Sequence, residues 1–156
     1  MKNYKIGIIG HGYVGESQSF AFSPSFDVRV YDKDLLKSTH SLNEVLDSDF
    51  VFVCVPTPMK KDGSQDLSFV ESFFKTAKDG PIYIIKSTII PGTTNLLNEK
   101  FKNLKIVFSP EFLTERTAKL DILTQTRIIL GGDKNLTSKV RKIYDIRFKN
   151  KTVIET

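Results

Sequence analysis

The sequence predicts an α/β fold: one domain in which a mostly parallel sheet is doubly wound by helices on both faces. Short apolar runs alternate with helix-compatible segments through nearly all of the 156 residues. Several runs are rich in Val and Ile without polar alternation, which is typical of parallel strands buried on both faces. No repeat, low-complexity segment or linker divides the chain. The alternation therefore indicates a single doubly wound unit over residues 1–156.

Each element follows from its local pattern. The predicted strands are short apolar runs bounded by turn residues: Lys5–Ile9, Val28–Tyr31, Phe50–Val55, Ile82–Lys86, Ile106–Phe108 and Arg127–Leu130, with Thr152–Ile154 as a candidate last strand. The predicted helices lie between the strands: Tyr13–Phe22, Leu42–Leu46, Asp66–Lys78, Thr93–Phe101, Glu115–Leu123 and Lys134–Tyr144.

Composition narrows the class of protein. With 40% hydrophobic and 26% charged residues, the chain can build one core and is neither disordered nor fibrous. No apolar run reaches about 18 residues, and the first one breaks at Gly7 and Gly10, so we expect a cytoplasmic protein without a signal peptide or membrane contact. The single Cys54 excludes an internal disulfide and a multi-cysteine metal site, and no metal is expected. Its apolar run predicts a buried strand residue, not a nucleophile.

A glycine-rich turn follows the first predicted strand. Gly10-His11-Gly12-Tyr13-Val14-Gly15 opens a helix, and the next strand ends at Asp32. This is the dinucleotide-binding fingerprint of a Rossmann-like fold, in which Gly10 permits a tight turn, Gly12 admits a pyrophosphate and Gly15 allows close helix packing. The pyrophosphate lies at the helix N-terminus. Predicted cofactor contacts in this segment are Gly10, Gly12, Tyr13, Val14 and Gly15.

Asp32 points to the identity of the cofactor. It lies 17 residues past Gly15, where a carboxylate accepts hydrogen bonds from an adenosine ribose diol. A carboxylate would repel a 2′-phosphate, so NAD is favoured over NADP. A glycine turn that binds nothing is the alternative. We assign no functional role to either histidine, because His11 lies between two glycines and His40 has no recognisable partner in the sequence.

Two loops at strand ends extend the predicted site. Val55-Pro56-Thr57-Pro58 ends one strand with two prolines, which cannot continue a ladder and so form a rigid wall. The segment 86–94 ends another strand with a cation, hydroxyls and a new helix N-terminus. Open α/β sheets bind ligands at the carboxyl ends of their strands. The predicted cofactor contacts therefore include Val55, Pro56, Thr57, Lys86, Ser87 and Thr88.

A third loop places Glu111 and Glu115 four residues apart after a strand. On one helical turn the two would face the same way, with roughly 6 Å between their Cβ atoms. Such a pair can hold a water molecule or divide into acid and base roles. Acidic residues placed at a helix start for dipole reasons are the alternative.

The net charge of +5 is uneven, because the chain from Lys86 onward has 14 basic and 7 acidic residues, against 9 and 11 before it. Much of the excess lies between Lys134 and Lys151, where a basic surface for nucleic acid is one interpretation. The solvated face of a terminal helix is favoured, since no stacking aromatics are interleaved, and we expect no nucleic-acid partner. A basic half also suits an anionic ligand such as a nucleotide sugar.

Six short motifs occur in one order along the chain: Gly10–Gly15, Val55–Pro58, Asp66–Val70, Lys86–Thr88 with Pro91–Thr94, Ser109–Leu113 and Arg127–Gly132. Together they resemble the UDP-glucose/GDP-mannose dehydrogenase family. The resemblance implies the N-terminal NAD-binding domain of a nucleotide-sugar 6-dehydrogenase, which oxidises a sugar CH₂OH to carboxylate with two NAD⁺ in succession. It implies that Thr88 and Glu111 position or activate water near the reacting carbon. By the same likeness Glu115 supports substrate binding and catalysis, and Phe112 and Leu113 line the substrate site.

The chain also departs from the family pattern. The family's cysteine nucleophile, which forms a thioester, and its oxyanion-stabilising lysine lie beyond this domain, and Cys54 matches no catalytic position. The sequence stops at Thr156, about where the central dimerisation helix would begin, so we expect that helix and the C-terminal UDP-sugar-binding domain to be absent. Arg116 replaces a glycine that commonly follows Glu115. The span from Asp32 to Phe50 is shorter than in the family.

Three functions remain open from the sequence. The first is the domain of a nucleotide-sugar dehydrogenase, excised or completed by another polypeptide, with UDP-glucose or a relative as substrate and an open oligomeric state. The second is a freestanding NAD-binding module or degenerate homologue with a sensing or scaffolding role. The third, a complete small dehydrogenase of the hydroxyacid type, is disfavoured because those enzymes need a second domain to close over nicotinamide. We expect the first function, and we expect the domain to be inactive when it is alone.

Overall fold

The structure is a computed structural model that describes residues 3–156, so Met1 and Lys2 of the predicted domain lie outside the described residues. The strands are β1 (Lys5–Ile9), β2 (Asp27–Tyr31), β3 (Phe50–Val53), β4 (Ile82–Ile85), β5 (Lys105–Phe108), β6 (Arg127–Leu130) and β7 (Thr152–Glu155). The α-helices are α1 (Tyr13–Phe22), α2 (Leu42–Leu46), α3 (Ser68–Phe74), α4 (Thr93–Lys100), α5 (Ala118–Thr124) and α6 (Lys134–Arg147).

Five strands form a parallel sheet in the order β2-β1-β3-β4-β5. The chain runs from β1 outward to β2 and then returns to β3 on the other side of β1, so the winding direction reverses between β1 and β3. Ligands bind at such switch points in open α/β sheets. β6 pairs with β7 in parallel, and reciprocal 2.8 Å backbone hydrogen bonds between Phe108 and Gly131 join this pair to β5. The predicted mostly parallel α/β fold is confirmed.

Both faces of the sheet are buried, as the apolar runs predict. Along β3, Phe50 and Phe52 point to one face and pack in a cluster that includes Phe22 of α1 and residues of α5 and α6. Val51 and Val53 point to the opposite face and pack with residues of α2, α3 and α4. All four side chains of β3 are buried, which explains why this strand has no polar alternation.

Element ends differ from the predictions for local reasons. β3 and β4 stop at Val53 and Ile85, short of the predicted ends. Helix α3 is shorter at both ends than the predicted span of 66–78. The Asp66 carboxylate accepts the N–H of Ser68 at 2.9 Å, a local side-chain bond that holds Asp66 in a turn before the helix. At the other end the Tyr83 hydroxyl accepts the N–H of Lys78 and donates to its carbonyl, which holds Lys78 outside the helix.

Candidate functional site

The three glycines of the turn differ in the space around them. Gly10 has a φ of +87°, and a Cβ there would lie 2.6 Å from the carbonyl oxygen of Cys54. A Cβ on Gly15 would lie 1.9 Å from the carbonyl oxygen of Gly10. By contrast, a Cβ on Gly12 would meet nothing within 4 Å. Gly10 and Gly15 are therefore required for close packing, whereas Gly12 faces open space that a ligand can occupy.

Helix α1 begins directly after this open space. Gly12 is its N-cap residue, with extended backbone and no side-chain hydrogen bond to the helix. The first N–H groups of a helix have no intrahelical partner, so those that follow Gly12 are available to an anion. Such an arrangement suits an anionic group, of which a pyrophosphate is one.

Asp32 lies beyond the end of β2, beside the same turn. Its carboxylate accepts the backbone N–H groups of His11 at 2.6 Å and Asp34 at 2.8 Å. Burial alone would raise the pKa of Asp32, but these two hydrogen bonds, together with the positive charge of Lys37, lower it below its usual range. The carboxylate is therefore ionised at neutral pH. Each of its oxygens can accept a further hydrogen bond, which leaves capacity for a ribose diol.

An apolar cleft of about 370 Å³ opens beside Asp32. Leu42, Phe69 and Phe73 contribute its apolar walls, and Lys33 lies at its edge with Nζ 5.3 Å from the centre of the Phe69 ring. A cleft of this kind, with one carboxylate at its rim, suits an adenine and its ribose. The three apolar residues were missed as site residues from the sequence, although the motif 66–70 contains Phe69.

A second cleft, of about 290 Å³, lies on the other side of the glycine turn. The structure brings together there most of the residues predicted to contact cofactor or reacting groups: Gly12, Tyr13, Val14, Val55, Pro56, Thr57, Lys86, Ser87, Thr88 and Glu111. Cys54 also lines it. Val55 and Pro56 border both clefts, so the two spaces meet at the predicted proline wall.

Hydrogen bonds fix the loops that form this second cleft. Thr57 Oγ1 and Gln65 Nε2 each donate to the carbonyl oxygen of Thr88 at 2.7 Å. Ser87 Oγ donates to the carbonyl of Val55 at 2.6 Å, and Ser87 is buried. The Ser87 hydroxyl thus holds two loops together. Gln65 was missed from the sequence, because a single polar residue in a loop carries no periodic signal.

Lys86 is buried at the end of β4, with 6% of its surface exposed. Its Nζ donates to Ser109 Oγ at 3.3 Å and to the carbonyl of Pro110 at 3.2 Å. Burial lowers the pKa of Lys86 to about 8. The ammonium is therefore directed toward the end of β5, and its hydrogen bonds are made within the protein.

Cys54 does not lie inside the sheet as predicted. β3 ends one residue earlier, and Cys54 is partly buried at the carboxyl edge, where it lines the second cleft. The Cys54 N–H still donates to the Ile9 carbonyl of β1 at 2.8 Å, but Pro56 and Pro58 cannot donate backbone hydrogen bonds, so the pairing does not continue beyond it. The thiol still packs against the core, and burial raises its pKa to about 12. It is thus protonated at neutral pH.

Glu111 and Glu115 do not share one helical turn, contrary to the prediction. Residues 111–114 form a loop, and a 3₁₀ turn begins only at Glu115. The Glu111 carboxylate accepts the N–H of Leu113 at 2.5 Å, and the Asp121 carboxylate accepts that of Thr114 at 2.8 Å. Such side-chain bonds to the backbone compete with helix formation.

Tyr13 lies near both glutamates. Burial is the main cause of the raised pKa of the Tyr13 hydroxyl, and the charges of Glu111 and Glu115 raise it further. Glu111 faces the second cleft, whereas Glu115 lines a separate groove between α1 and the 3₁₀ turn. The pair is therefore divided between two faces of Tyr13.

The two residues expected to line a substrate site are separated. Phe112 is 52% exposed, and its ring lies 5.3 Å from the guanidinium carbon of Arg127. Leu113 is partly buried and packs against the core cluster of α1, α5 and α6. Phe112 is therefore the more accessible of the two to a ligand.

Metal ligands and membrane spans are both missing from the described residues 3–156. Within that part of the chain, no three His, Cys, Asp or Glu side chains are grouped so that they could hold a metal ion. No helix of residues 3–156 is long and apolar enough to cross a membrane.

The fold and the two adjoining clefts define a dinucleotide-binding domain of the kind found in NAD-dependent oxidoreductases. Residues 27–147 match the sequence profile of the UDP-glucose/GDP-mannose dehydrogenase family, NAD binding domain. The chain belongs to this family. The cofactor expected from the sequence, NAD, agrees with the family description.

Known relatives support the assignment. The chain is 31% identical to the UDP-glucose 6-dehydrogenase of Streptococcus pneumoniae over 178 residues, with coverage of 91% of this chain and 45% of that enzyme. It is similar to the UDP-glucose dehydrogenase of Pyrobaculum islandicum, with a TM-score of 0.81, 26% identity, and coverage of 98% of this chain and 46% of that one. It is also similar to GDP-mannose dehydrogenase from Pseudomonas aeruginosa in a ternary complex. The TM-score is 0.78 and the identity 25%, with coverage of 97% of this chain and 46% of that one.

The chain thus spans about half the length of these relatives. The alignment with the Streptococcus pneumoniae enzyme is longer than the 156 residues of this chain, so the relative carries residues within the aligned region that this chain lacks. The shared half is the one that contains the glycine turn and both clefts.

Proposed function

We propose that residues 1–156 form one NAD-binding domain and that it binds NAD(H) across the two clefts. Asp32 accepts the adenosine ribose diol, and the adenine lies in the apolar cleft beside it. The pyrophosphate crosses the open space at Gly12 to the N-terminus of α1. The nicotinamide half then reaches the second cleft. The observation that carries this proposal is the empty space at Gly12 between two glycines that allow no Cβ.

The proposed position of the nicotinamide indicates which side chains lie near the reaction. The second cleft is lined by Thr88 and Glu111, so a nicotinamide bound there has a hydroxyl and a carboxylate beside it. We propose that these two position or activate water near the reacting carbon of a nucleotide sugar, with Glu115 supporting substrate binding from the neighbouring groove. Phe112, exposed and stacked on Arg127, is the better supported of the two proposed substrate contacts.

We further propose that the oxidation of a nucleotide-sugar CH₂OH to carboxylate requires residues outside this sequence, and that it takes place in the cytoplasm. Relatives that carry out such oxidations by name are about twice as long as this chain. The thiol of Cys54 has a pKa of about 12, so it supplies no thiolate at neutral pH. The absence of a thiolate at Cys54 also favours the alternative function, an NAD-binding module with a sensing or scaffolding role.

The cofactor proposal is tested by titrating the fluorescence of NADH with wild type and two variants. Gly12→Val fills the open space, and we expect it to fold normally and to lose NADH binding. Ser25→Val is the matched control, because it adds the same side chain in an exposed turn before β2, at the opposite edge of the sheet. It should bind like wild type. Equal binding by all three proteins, or tighter binding of NADPH than NADH, would contradict the proposed site.

A further inference from the structure

Lys86 carries a buried charge that has no carboxylate partner. The side chain is 6% exposed, and its Nζ bonds only to the neutral oxygens of Ser109 and Pro110 among residues 3–156. A buried ammonium is usually paired with a carboxylate, because burial of an isolated charge is costly. The ammonium of Lys86 is therefore held at this point of the sheet with neutral groups as its direct partners.

The groups around Lys86 do not neutralise it. Cys54, at the end of β3, has a pKa of about 12 and is uncharged at neutral pH. On the β5 side Ser109 Oγ lies 3.3 Å from the hydroxyl of Tyr144 of α6, whose pKa is raised by burial. Among residues 3–156, Glu111 is the one carboxylate whose charge acts on Lys86, and its own hydrogen bond goes to Leu113.

Lys86 lies on the side of the sheet where the nicotinamide half of the cofactor is proposed to bind. It ends β4 and helps to line the second cleft, whereas Asp32 follows β2 on the far side of β1. If the adenosine half lies at Asp32, the nicotinamide half lies on the side of Lys86. The nicotinamide ring carries a positive charge in NAD⁺ and none in NADH, while the pyrophosphate is the same in both.

We propose that Lys86 makes this site discriminate between the two oxidation states of the cofactor: NADH binds with the Lys86 ammonium protonated, and NAD⁺ binding releases one proton from it. The proposal rests on the NAD(H) site described above. Two like charges about 6 Å apart in a partly buried cleft repel strongly enough to change an affinity about a hundredfold. Loss of the Lys86 proton removes that repulsion.

The pH dependence follows from the sign of the charge. Burial lowers the pKa of Lys86 to about 8, so the ammonium predominates at pH 7 and the neutral amine at pH 9. We expect the affinity for NAD⁺ to rise by roughly tenfold between these values, while the affinity for NADH stays within about twofold. At equal pH, NADH binds more tightly below the pKa, and the difference closes above it.

The test uses the full 156-residue chain. NADH binding is followed by fluorescence and NAD⁺ binding by displacement of NADH, from pH 6.5 to 9.5. In wild type the ratio of the two dissociation constants should fall with pH. In Lys86→Met the ratio should be smaller at pH 7 and independent of pH. Lys102→Met, which removes an exposed lysine before β5, is the matched control and should follow wild type.

Proton release gives a second readout. In weakly buffered solution at pH 7, NAD⁺ should release close to one proton per site from wild type, and NADH none. This measurement needs no variant, so it tests whether NAD⁺ binding releases a proton even if Lys86→Met does not fold. Binding of both cofactors at a ratio independent of pH and without proton release would overturn the role of Lys86 and leave the NAD(H) site intact. Failure of wild type to bind either form would overturn the site itself.

Discussion

The carboxylate of Asp32 and the backbone N–H of His11 are joined by a 2.6 Å hydrogen bond across 21 residues of sequence. The bond ties the glycine turn to the end of β2. It gives Asp32 a structural role in addition to the ribose contact that we propose for it, because its carboxylate also fixes the glycine-rich loop.

Replacement of Asp32 should therefore affect both stability and binding. Asp32→Ala leaves the N–H groups of His11 and Asp34 without their acceptor, and we expect a loss of about 1–3 kcal/mol in the free energy of unfolding. Asp32→Asn keeps one acceptor oxygen and should lose less. Urea denaturation measures the stability, and NADH titration measures the binding. An Asp32→Ala variant as stable as wild type would show that the His11 bond contributes nothing.

The lowered pKa of Asp32 predicts a specific acid response. Since the pKa is lower in the folded state than its unfolded value of about 3.9, the ionised group stabilises the fold above that value. This stabilisation is lost as the pH falls through the folded pKa. We expect the stability difference between wild type and Asp32→Asn to be constant from pH 5 to 7 and to shrink below about pH 4. Thermal melts across this range provide the measurement; a difference that widens in acid would contradict it.

Two glycines of one turn should respond oppositely to the same change. Gly15→Ala places a Cβ 1.9 Å from the Gly10 carbonyl oxygen, so either the helix or the turn must move. We expect a loss above about 2 kcal/mol in the free energy of unfolding, as for severe overpacking. Gly12→Ala meets nothing within 4 Å and has a φ of −74°, so its stability should stay within about 0.5 kcal/mol of wild type. Chemical denaturation of both variants tests the contrast.

The sequence predicted the fold well and the site in part. The strands were visible because burial on both faces requires apolar runs, and the glycine turn was visible because few other residues fit its backbone. The sequence did not reveal where side-chain hydrogen bonds or prolines would interrupt a predicted helix or strand. The Glu111 bond to Leu113 N–H prevents the predicted helical turn, and the prolines after Cys54 end its strand early. Phe69 was not predicted because its place in the cleft beside Asp32 depends on how α3 packs, which no local pattern specifies.

The glutamates after β5 can be tested through Tyr13. Their negative charges add to burial in raising the pKa of the Tyr13 hydroxyl, so the double variant Glu111→Gln, Glu115→Gln should lower that pKa while burial keeps it above its ordinary value. The fold should be retained, because the amide introduced at position 111 still has an oxygen to accept the Leu113 N–H, and the melting temperature should change by less than about 8 °C. Ultraviolet titration against a Tyr13→Phe reference isolates this hydroxyl. An unchanged Tyr13 pKa would place both glutamates too far away to act together.

The chain alone should not convert a nucleotide sugar to its acid at a measurable steady rate. In the family mechanism the aldehyde is oxidised through a thioester, which needs a thiolate, and burial raises the pKa of the Cys54 thiol to about 12. The second cleft is partly open among residues 3–156, so water would also reach a nicotinamide bound there. The assay follows NADH production with UDP-glucose, UDP-N-acetylglucosamine and GDP-mannose separately, for wild type and Cys54→Ser. Turnover lost in Cys54→Ser would identify Cys54 as a nucleophile despite its raised pKa, and turnover retained in that variant would require a route without a thiol.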